Sequence, residues 1–428
     1  MTDVENSQVR TGLSVAALRT QRGVGGTFAP FRYPAFRAIW IANLASNLGS
    51  MAQSVGAAWL MTELTASHRL IALVQASATV PILLLGVFAG AIADNFDRRL
   101  VMLAAQIGML VVSAVLAAMT WAGHMTPWLL LGFTFCVGIG TALNAPAWQA
   151  SVRQQVGQAD LPQAITLNTI SFNLARSVGP GLGGLLISLW NVSLAFAVNS
   201  VSYLALIVVL LCWRPGHTAP ERKPMLPAIG IGLKFCAGDP VIRRVLARGL
   251  AIGFGVAGYQ ALVPAVVRGR LHGTEIDYGI LLGLFGVGSI CAALFIGRLL
   301  RRFGAEAVIT VSTLGFILAE MVLAGAHSLV EAAPATFIAG AGWVTGLTTI
   351  NVAMQLRSPD AIIGRCLSIY QAVTFGGMAL GAWVWGSVAD WQDLPTALHY
   401  SAAFLVISLI VLRNIAPMPD VQPVQKHL

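Results

Sequence analysis

The chain has 428 residues, of which 57% are hydrophobic and only 10% are charged, and its mean hydropathy is +0.76. Soluble domains carry about 25% charged residues, so this composition excludes an ordinary soluble enzyme and indicates an integral membrane protein. The net charge of +9 would suit a nucleic-acid partner, but the basic residues are distributed as membrane topology requires, and we expect no nucleic-acid binding.

Twelve apolar windows, each long enough to cross a bilayer as a helix, follow the first 31 residues. We therefore predict an all-α integral membrane protein with twelve transmembrane helices. The polar segment 1–31 lacks the apolar stretch of a signal peptide and is predicted to be a tail. The windows are 36–61, 70–93, 100–121, 126–149, 164–189, 193–213, 249–267, 278–297, 307–326, 332–355, 366–389 and 398–416.

Lys and Arg are distributed very unevenly between the two sides of these helices. An even number of crossings returns both termini to one side, and that side holds 22 of the 26 Lys and Arg residues. The other side holds only Arg69, Arg268 and Arg270, while Arg176 lies inside a window. Because basic loops stay on the cytoplasmic side, both termini are predicted to be cytoplasmic.

The longest polar interruption divides the helices six and six. It runs from Arg214 to Gly249 and contains five prolines and seven basic residues. We predict an N-terminal bundle at 32–213, a central cytoplasmic loop at 214–248, a C-terminal bundle at 249–416 and a tail at 417–428.

The two sets of helices show a faint internal repeat. Three pairs share an offset of 207 residues: Gly90 and Gly297, Phe96 and Phe303, and Asn144 and Asn351. Transporters use such repeats to place a substrate site between two halves.

The turn "GAIADNFDRR", from Gly90 to Arg99, joins the second and third helices. Arg98 and Arg99 would satisfy the positive-inside rule without any further role. Asp94 beside them favours a second interpretation, since a carboxylate at a helix end can accept charge-assisted hydrogen bonds from Arg. We predict a cytoplasmic latch that opens when two bundles separate, with contributions from Asp97, Arg153 and Arg357.

The fifth window contains "NLARSVGPGLGG", in which Arg176 precedes four glycines and Pro180. Arg at the centre of a membrane helix costs about 2.5–3.5 kcal/mol on insertion scales. It either pairs structurally or projects into a wet central cavity, and a polar stripe with Thr169 and Asn173 favours the cavity. Gly179, Gly183 and Gly184 are predicted to allow close helix packing, and Pro180 to allow a bend.

Two of these motifs resemble those of a known family. Gly90-x-x-x-Asp94-x-x-x-Arg98-Arg99 is similar to the signature of the major facilitator superfamily, and "GPGLGG" resembles the core of its antiporter motif. The resemblance covers about residues 32–416 and is strongest to bacterial enterobactin-type siderophore exporters and macrolide efflux pumps. Asn95, Asp97, Thr166 and Ala175 depart from the motifs, so proton coupling does not follow from them.

The resemblance implies a monomer of two pseudo-symmetric six-helix bundles in the bacterial inner membrane. It would export a small organic molecule, such as a siderophore, drug or metabolite, by alternating access coupled to proton antiport. A cavity bounded by helices 1, 4, 5, 7, 10 and 11 would bind the substrate. The alternative is a transport-inactive membrane sensor or assembly partner, although the intact latch motif favours transport.

Several polar side chains are candidates to line that cavity. The first helix places Asn43, Asn47, Ser50 and Ser54 on one face, either toward the cavity or as a packing surface between helices. Further candidates are Asn144, Asn173, Tyr259, Gln260, Asn351, Tyr370 and Gln371. Amides and aromatic rings suit a large, partly apolar substrate better than a bare ion.

Glu320 is the one carboxylate well inside an apolar window, and it is either a proton carrier or a structural residue. The five cysteines lack the spacing of a disulfide framework or metal site. There is no Walker A sequence and no nucleophile motif, so we expect no ATP hydrolysis, no cofactor and no enzymatic activity.

Overall fold

The computed structural model describes residues 28–214, 225–359 and 362–418, except for the side chains of Val87, Asp94 and residues 225–229. Most of the predicted tails 1–31 and 417–428, and residues 215–224 of the predicted loop 214–248, lie outside these ranges. Within the described residues the chain is helical and contains no strand, which confirms the predicted fold class.

The first half contains α1 to α6 and the second half α7 to α12, with a linker helix (Met225–Gly238) between them. The first six are Pro34–Leu64, His68–Asn95, Arg98–Trp121, Pro127–Gln155, Leu161–Leu189 and Val192–Cys212. The second half contains Pro240–Gly269 (α7), Glu275–Gly325 (α8 and α9), Leu329–Arg357 (α10), Ile363–Trp391 (α11) and Leu394–Ile415 (α12).

Helix α7 begins nine residues before its predicted window. The carboxylate of Asp239 accepts hydrogen bonds from the backbone N–H groups of Val241 and Ile242, and Pro240 occupies the first turn. This capped start makes the polar residues that follow helical. The central loop is therefore shorter than the sequence predicted.

The run Glu275–Gly325 is divided at Gly304, whose φ of 77° and ψ of 168° are not helical. We call the part before Gly304 α8 and the part after it α9. Ser289 in α8 donates to the carbonyl of Gly340, and Ser312 in α9 donates to the carbonyl of Gly342. Because both parts pack on one turn of α10, the chain reverses direction at Gly304.

Nine of the long helices in the described ranges, with Glu275–Gly325 taken as one, are apolar enough to cross a membrane by length and composition. The two exceptions are α1 and α5. These helices carry the polar face from Asn43 to Ser54 and the stripe that ends at Arg176. Their lower hydropathy agrees with helices that face polar surroundings inside the bundle.

We define the terminal face as the face where α1 begins and α12 ends, and the distal face as the opposite one. The two halves share one large apolar core that includes Trp59 and Phe196 of the first half and Val263 and Leu281 of the second. At the terminal face, the first half has its own smaller clusters, around Met102 and Phe36. The halves are therefore joined by apolar packing mainly toward the distal face.

The internal repeat holds for part of the chain. Helices α2 and α8 begin 207 residues apart, at His68 and Glu275, as the repeat predicts. Asn144 and Asn351 are not equivalent, since Asn144 lies 11 residues before the end of α4 and Asn351 lies six before the end of α10. Both lie within helices.

Candidate functional site

A cavity of about 270 Å³ lies between the two halves and is the candidate substrate site. Its walls come from α1 to α6 in the first half and from α7 and α8 in the second. The polar face of α1 contributes all four of its predicted side chains, Asn43, Asn47, Ser50 and Ser54. The i, i+4, i+7, i+11 spacing therefore places one helix face against the cavity.

Two further predicted residues, Asn144 of α4 and Gln260 of α7, also line the cavity. Gln106 of α3 does so as well, although no motif or spacing points to it. None of the lining residues that the structure describes is charged. The cavity can thus bind a ligand through amides and hydroxyls, but it offers no counterion.

A hydrogen-bonded network supports the first-half wall. The hydroxyls of Ser50 and Tyr203 lie 3.2 Å apart, and the Asn199 amide donates to Tyr203 at 3.1 Å and to Gln53 at 2.7 Å. These residues belong to α1 and α6, and Asn199 is fully buried. A satisfied buried network fixes the position of the α1 face relative to α6.

Five other cavity candidates are not among the residues that line this cavity. Tyr259 is buried and donates to Thr336 of α10, and Tyr370 is buried and donates to the carbonyl of Leu347. Asn173 donates a hydrogen bond to the carbonyl of Thr169 in its own helix, and Asn351 accepts one from Gln355. Gln371 is exposed on α11.

Arg176 is predicted to project into the cavity, but it is not among the residues that line it. Its guanidinium carbon lies 5.2 Å from the ring centre of Phe285 in α8 and 5.6 Å from that of Trp343 in α10. Such contacts stabilise a cation by about 0.5–2 kcal/mol through the quadrupoles of the rings. Arg176 therefore links the first half to two helices of the second.

The glycines of the "GPGLGG" segment serve two packing surfaces. A Cβ at Gly179 would lie 2.6 Å from Met51, and a Cβ at Gly183 would lie 2.7 Å from Ala52. Both neighbours belong to α1. A Cβ at Gly184 would lie 2.6 Å from the carbonyl oxygen of Glu275 in α8. Pro180 is buried, and its carbonyl faces Gly279 of α8. Close approach of the two halves at this point requires glycine.

The predicted latch residues lie at the terminal face, but those described make no ion pair between the halves. Arg98 donates to the carbonyl of Ala150, and Arg99 donates to those of Leu210 and Leu211. Both arginines therefore satisfy carbonyls near helix ends of their own half. The side chain of Asp94 lies outside the described residues.

The other members of the predicted latch are also not brought together. Asp97 accepts a hydrogen bond from the backbone of Arg99 and caps α3. Arg153 is exposed, and Arg357 lies in the last turn of α10. Gly90 approaches the second half, since a Cβ there would lie 3.6 Å from the hydroxyl of Ser368 in α11.

Glu320 is fully buried and joins three helices of the second half. Its Oε1 accepts hydrogen bonds from the Ser401 hydroxyl of α12 at 3.0 Å and from the Tyr259 N–H of α7 at 3.2 Å. Its Oε2 has no hydrogen-bond partner among the described residues. Glu320 is not among the residues that line the cavity, and its hydrogen bonds hold α7 and α12 against α9.

Two polar contacts between the halves at the distal face were missed by the sequence analysis. Asp390 of α11 accepts hydrogen bonds from Ser67 and from the backbone of His68 and Arg69 at the start of α2. Arg268 of α7 lies 3.5 Å from Glu63 of α1. The scarcity of basic residues on this side could have drawn attention to Arg268, but no local pattern identifies Asp390.

Arg268 belongs to a small aromatic cluster. Its guanidinium carbon lies 5.5 Å from the ring centre of Trp59, which stacks on Tyr278 of α8 at 6.3 Å. Trp59 also donates to Glu63, at 3.0 Å. This cluster covers the cavity on its distal side, because Tyr278 is itself a lining residue.

No group of His, Cys, Asp and Glu in the described ranges has the arrangement of a metal site. The five cysteines, all within those ranges, are free.

Comparisons with known proteins agree with this geometry. Residues 25–426 match the family model described as transmembrane secretion effector. The chain is 25% identical over 350 residues to the staphyloferrin A transporter of Staphylococcus aureus, covering 80% of this chain and 86% of the relative. It is 26% identical over 414 residues to an enterobactin exporter of Citrobacter koseri, and the match covers 91% of this chain and 96% of the relative.

Solved structures with the same fold include transporters of different families. A nucleoside transporter superposes with a TM-score of 0.75 at 13% identity, covering 89% of this chain and 99% of that one. A POT family transporter superposes with a TM-score of 0.75 at 15% identity, and the match covers 90% of this chain and 98% of that one. At these identities the likeness extends to the fold alone.

Proposed function

This chain belongs to the major facilitator superfamily, in the family of transmembrane secretion effectors, and we propose from that premise that it exports a siderophore-type small organic molecule. It is a multi-pass membrane transporter. The proposed direction is from the cytoplasm across the bacterial inner membrane, with both termini cytoplasmic, and the proposed functional unit is the monomer.

The observation that carries the proposal is the polar cavity lined by the six helices of the first half and by α7 and α8 of the second. With the terminal face cytoplasmic and the distal face closed by apolar packing, we propose an inward-facing state that admits a substrate from the cytoplasm. The names of an enterobactin exporter and a staphyloferrin A transporter among the relatives support a siderophore-type substrate.

Alternating access is the proposed mechanism. In the outward-facing state, the contacts of Arg268 with Glu63 and of Asp390 with α2 would break, and the terminal ends of the halves would approach each other. The ion pairs across the distal face are exposed or partly exposed, each contributing about 0–1 kcal/mol, and the shared apolar packing would also have to separate there. A ligand shifts the two populations by its difference in binding free energy between the two states.

Proton antiport is the proposed driving reaction. A membrane exporter without a nucleotide-binding motif needs an ion gradient, and the proton gradient is the one we propose. None of the described lining residues is acidic, so the proton-carrying group lies outside the cavity wall.

The test is uptake into inverted membrane vesicles, with and without a pH gradient, across a panel of siderophores, macrolides and dyes. Vesicles that carry Gly286→Leu provide an inserted but blocked control, because a Cβ at Gly286 would already lie 2.3 Å from the Cα of Ser177. We expect accumulation of at least one siderophore that needs both the protein and the gradient.

The outcomes separate the components of the proposal. Accumulation that persists when the pH gradient is collapsed would retain export and remove proton antiport. If no compound accumulates under either condition, the export proposal fails and the sensor alternative gains support.

A further inference from the structure

Three carboxamide side chains on the cavity wall each have a buried polar atom without a hydrogen-bond partner in the described residues. The atoms are Oε1 of Gln106, Oδ1 of Asn144 and Nε2 of Gln260. Folded proteins leave few buried polar atoms unpaired, because each such atom loses its bonds to water without replacement. The described residues contain twelve such side-chain atoms, and these three surround one cavity, where a bound molecule can supply the missing partners.

The three residues come from separate helices, α3, α4 and α7, so no local feature of one helix explains them. They also come from both halves of the molecule, which move relative to each other in the proposed cycle. A carboxamide contains both a donor and an acceptor, and its rotation can present either one to a ligand. The set therefore suits a ligand that combines hydroxyl and amide groups.

The surroundings of these amides select against a charged ligand. The lining residues that the structure describes include no Asp, Glu, Lys, Arg or His. Arg176 is held against Phe285 and Trp343, and Arg268 lies beside Glu63 at the distal face. A carboxylate or ammonium group in the cavity would lose its water without gaining a counterion, whereas a neutral polar group loses much less.

The size and the apolar parts of the wall narrow the ligand further. The cavity volume is about 270 Å³. Phe172, Tyr203 and Tyr278 provide rings, and Met51 and Met109 provide adaptable apolar contacts. One aromatic ring with polar substituents fits such a space.

We propose that the cavity binds an uncharged aromatic amide group of the substrate through the carboxamides of Gln106, Asn144 and Gln260. This inference rests on the proposed export function and specifies the chemistry of its substrate. A larger substrate would place this group in the cavity and extend toward the terminal face.

The test compares two ligands of equal size, salicylamide and salicylate, of which only the second is a carboxylate. Binding is measured by equilibrium dialysis with the purified full-length protein in lipid nanodiscs at about pH 6.5, where salicylamide is neutral. We expect salicylamide to bind at least about tenfold more tightly, because only salicylate brings an unpaired charge into the cavity.

Substitutions test whether the amides make the contact. Asn144→Ala and Gln260→Ala should each weaken salicylamide binding about three- to tenfold, the range expected for one lost hydrogen bond. Gln371→Ala is the matched control, since it removes an exposed amide on α11 that does not line the cavity, and binding should not change. Thermal melting of each variant shows whether it is folded.

Equal or tighter binding of salicylate would overturn the inference, as would unchanged salicylamide affinity in folded Asn144→Ala and Gln260→Ala variants. Absence of salicylamide binding would overturn it too. These outcomes are distinguishable from failure of the export proposal. If only this inference were wrong, the vesicle experiment would still show gradient-dependent accumulation of a charged siderophore.

Discussion

The carboxylate of Asp390 caps the first turn of α2, although Asp390 belongs to α11 and thus to the opposite half of the molecule. Its Oδ1 also lies 3.3 Å from Nδ1 of His68. A cap that joins two moving bodies holds the distal face closed as well as stabilising a helix.

Asp390→Ala should therefore favour opening of the distal face. Loss of a helix cap costs about 0.5–2 kcal/mol, which shifts a two-state equilibrium about two- to thirtyfold. The measurement is the labelling rate of a cysteine introduced at Ser54, on the cavity wall, by an impermeant maleimide added from the distal side. An unchanged rate would show that Asp390 has no part in closure.

Asp393→Ala is the matched control. Asp393 caps α12 within its own half, and hydrogen bonding from Thr396 holds the pKa of Asp393 below its usual range. With a lowered folded pKa, the stability from this group is present above the unfolded pKa of about 3.9 and is lost as pH falls through the folded value. Between about pH 5 and 8 we expect constant, modest destabilisation of this variant and no change in labelling.

Gly184→Ala should destabilise the joint between α5 and α8. Its Cβ would meet the Glu275 carbonyl oxygen at 2.6 Å, and overpacking of this kind costs about 1–3 kcal/mol. Gly181→Ala, in the same segment, meets nothing within 4 Å and should be neutral or slightly stabilising. Thermal melting in detergent compares the two, and equal melting temperatures would contradict the close packing.

Arg176→Ala should abolish transport without preventing membrane insertion. The variant loses the cation between the rings of Phe285 and Trp343 and with it a link between the halves. Vesicle uptake and the yield of folded protein provide the two measurements, and Arg153→Ala, which removes an exposed arginine, is the control. Full transport by Arg176→Ala would remove Arg176 from the transport machinery.

Glu320→Gln should retain transport and its dependence on the pH gradient, since an amide oxygen still accepts from Ser401 and Tyr259. Glu320→Leu removes the acceptor that the Tyr259 N–H shares with Ser401, whose hydroxyl keeps its bond to the carbonyl of Gly255, and should destabilise the protein by about 1–3 kcal/mol. Uptake with and without the pH gradient separates a structural role of Glu320 from a role as proton carrier. Transport that no longer responds to the gradient in the glutamine variant would identify Glu320 as a proton carrier.

The helices follow from the sequence because a bilayer forces each crossing segment to satisfy its own backbone and to be about 20 residues long. The polar face of α1 was predictable for a similar reason, since four polar residues at helical spacing need a common polar environment. Both features depend on residues that are close in the chain.

The rest depends on how each helix is rotated against its neighbours. Tyr259 and Gln260 are adjacent, as are Tyr370 and Gln371, and adjacent residues on a helix point about 100° apart. Only Gln260 of these four lines the cavity. The Asp390 cap joins residues more than 300 positions apart, so no short pattern predicts it.

The reversal at Gly304 has a mechanical consequence. A φ of 77° with a ψ of 168° is open to glycine almost alone, and one such residue makes the whole connection between α8 and α9. A connection this short cannot lengthen, so the two helices must translate together at the terminal face. Helix α8 contacts α5 at Gly184, and α9 holds α7 through Glu320. A displacement that begins at the joint between the halves is therefore transmitted through α8, α9 and α7 to the cavity wall at Gln260. This route does not pass through the ligand.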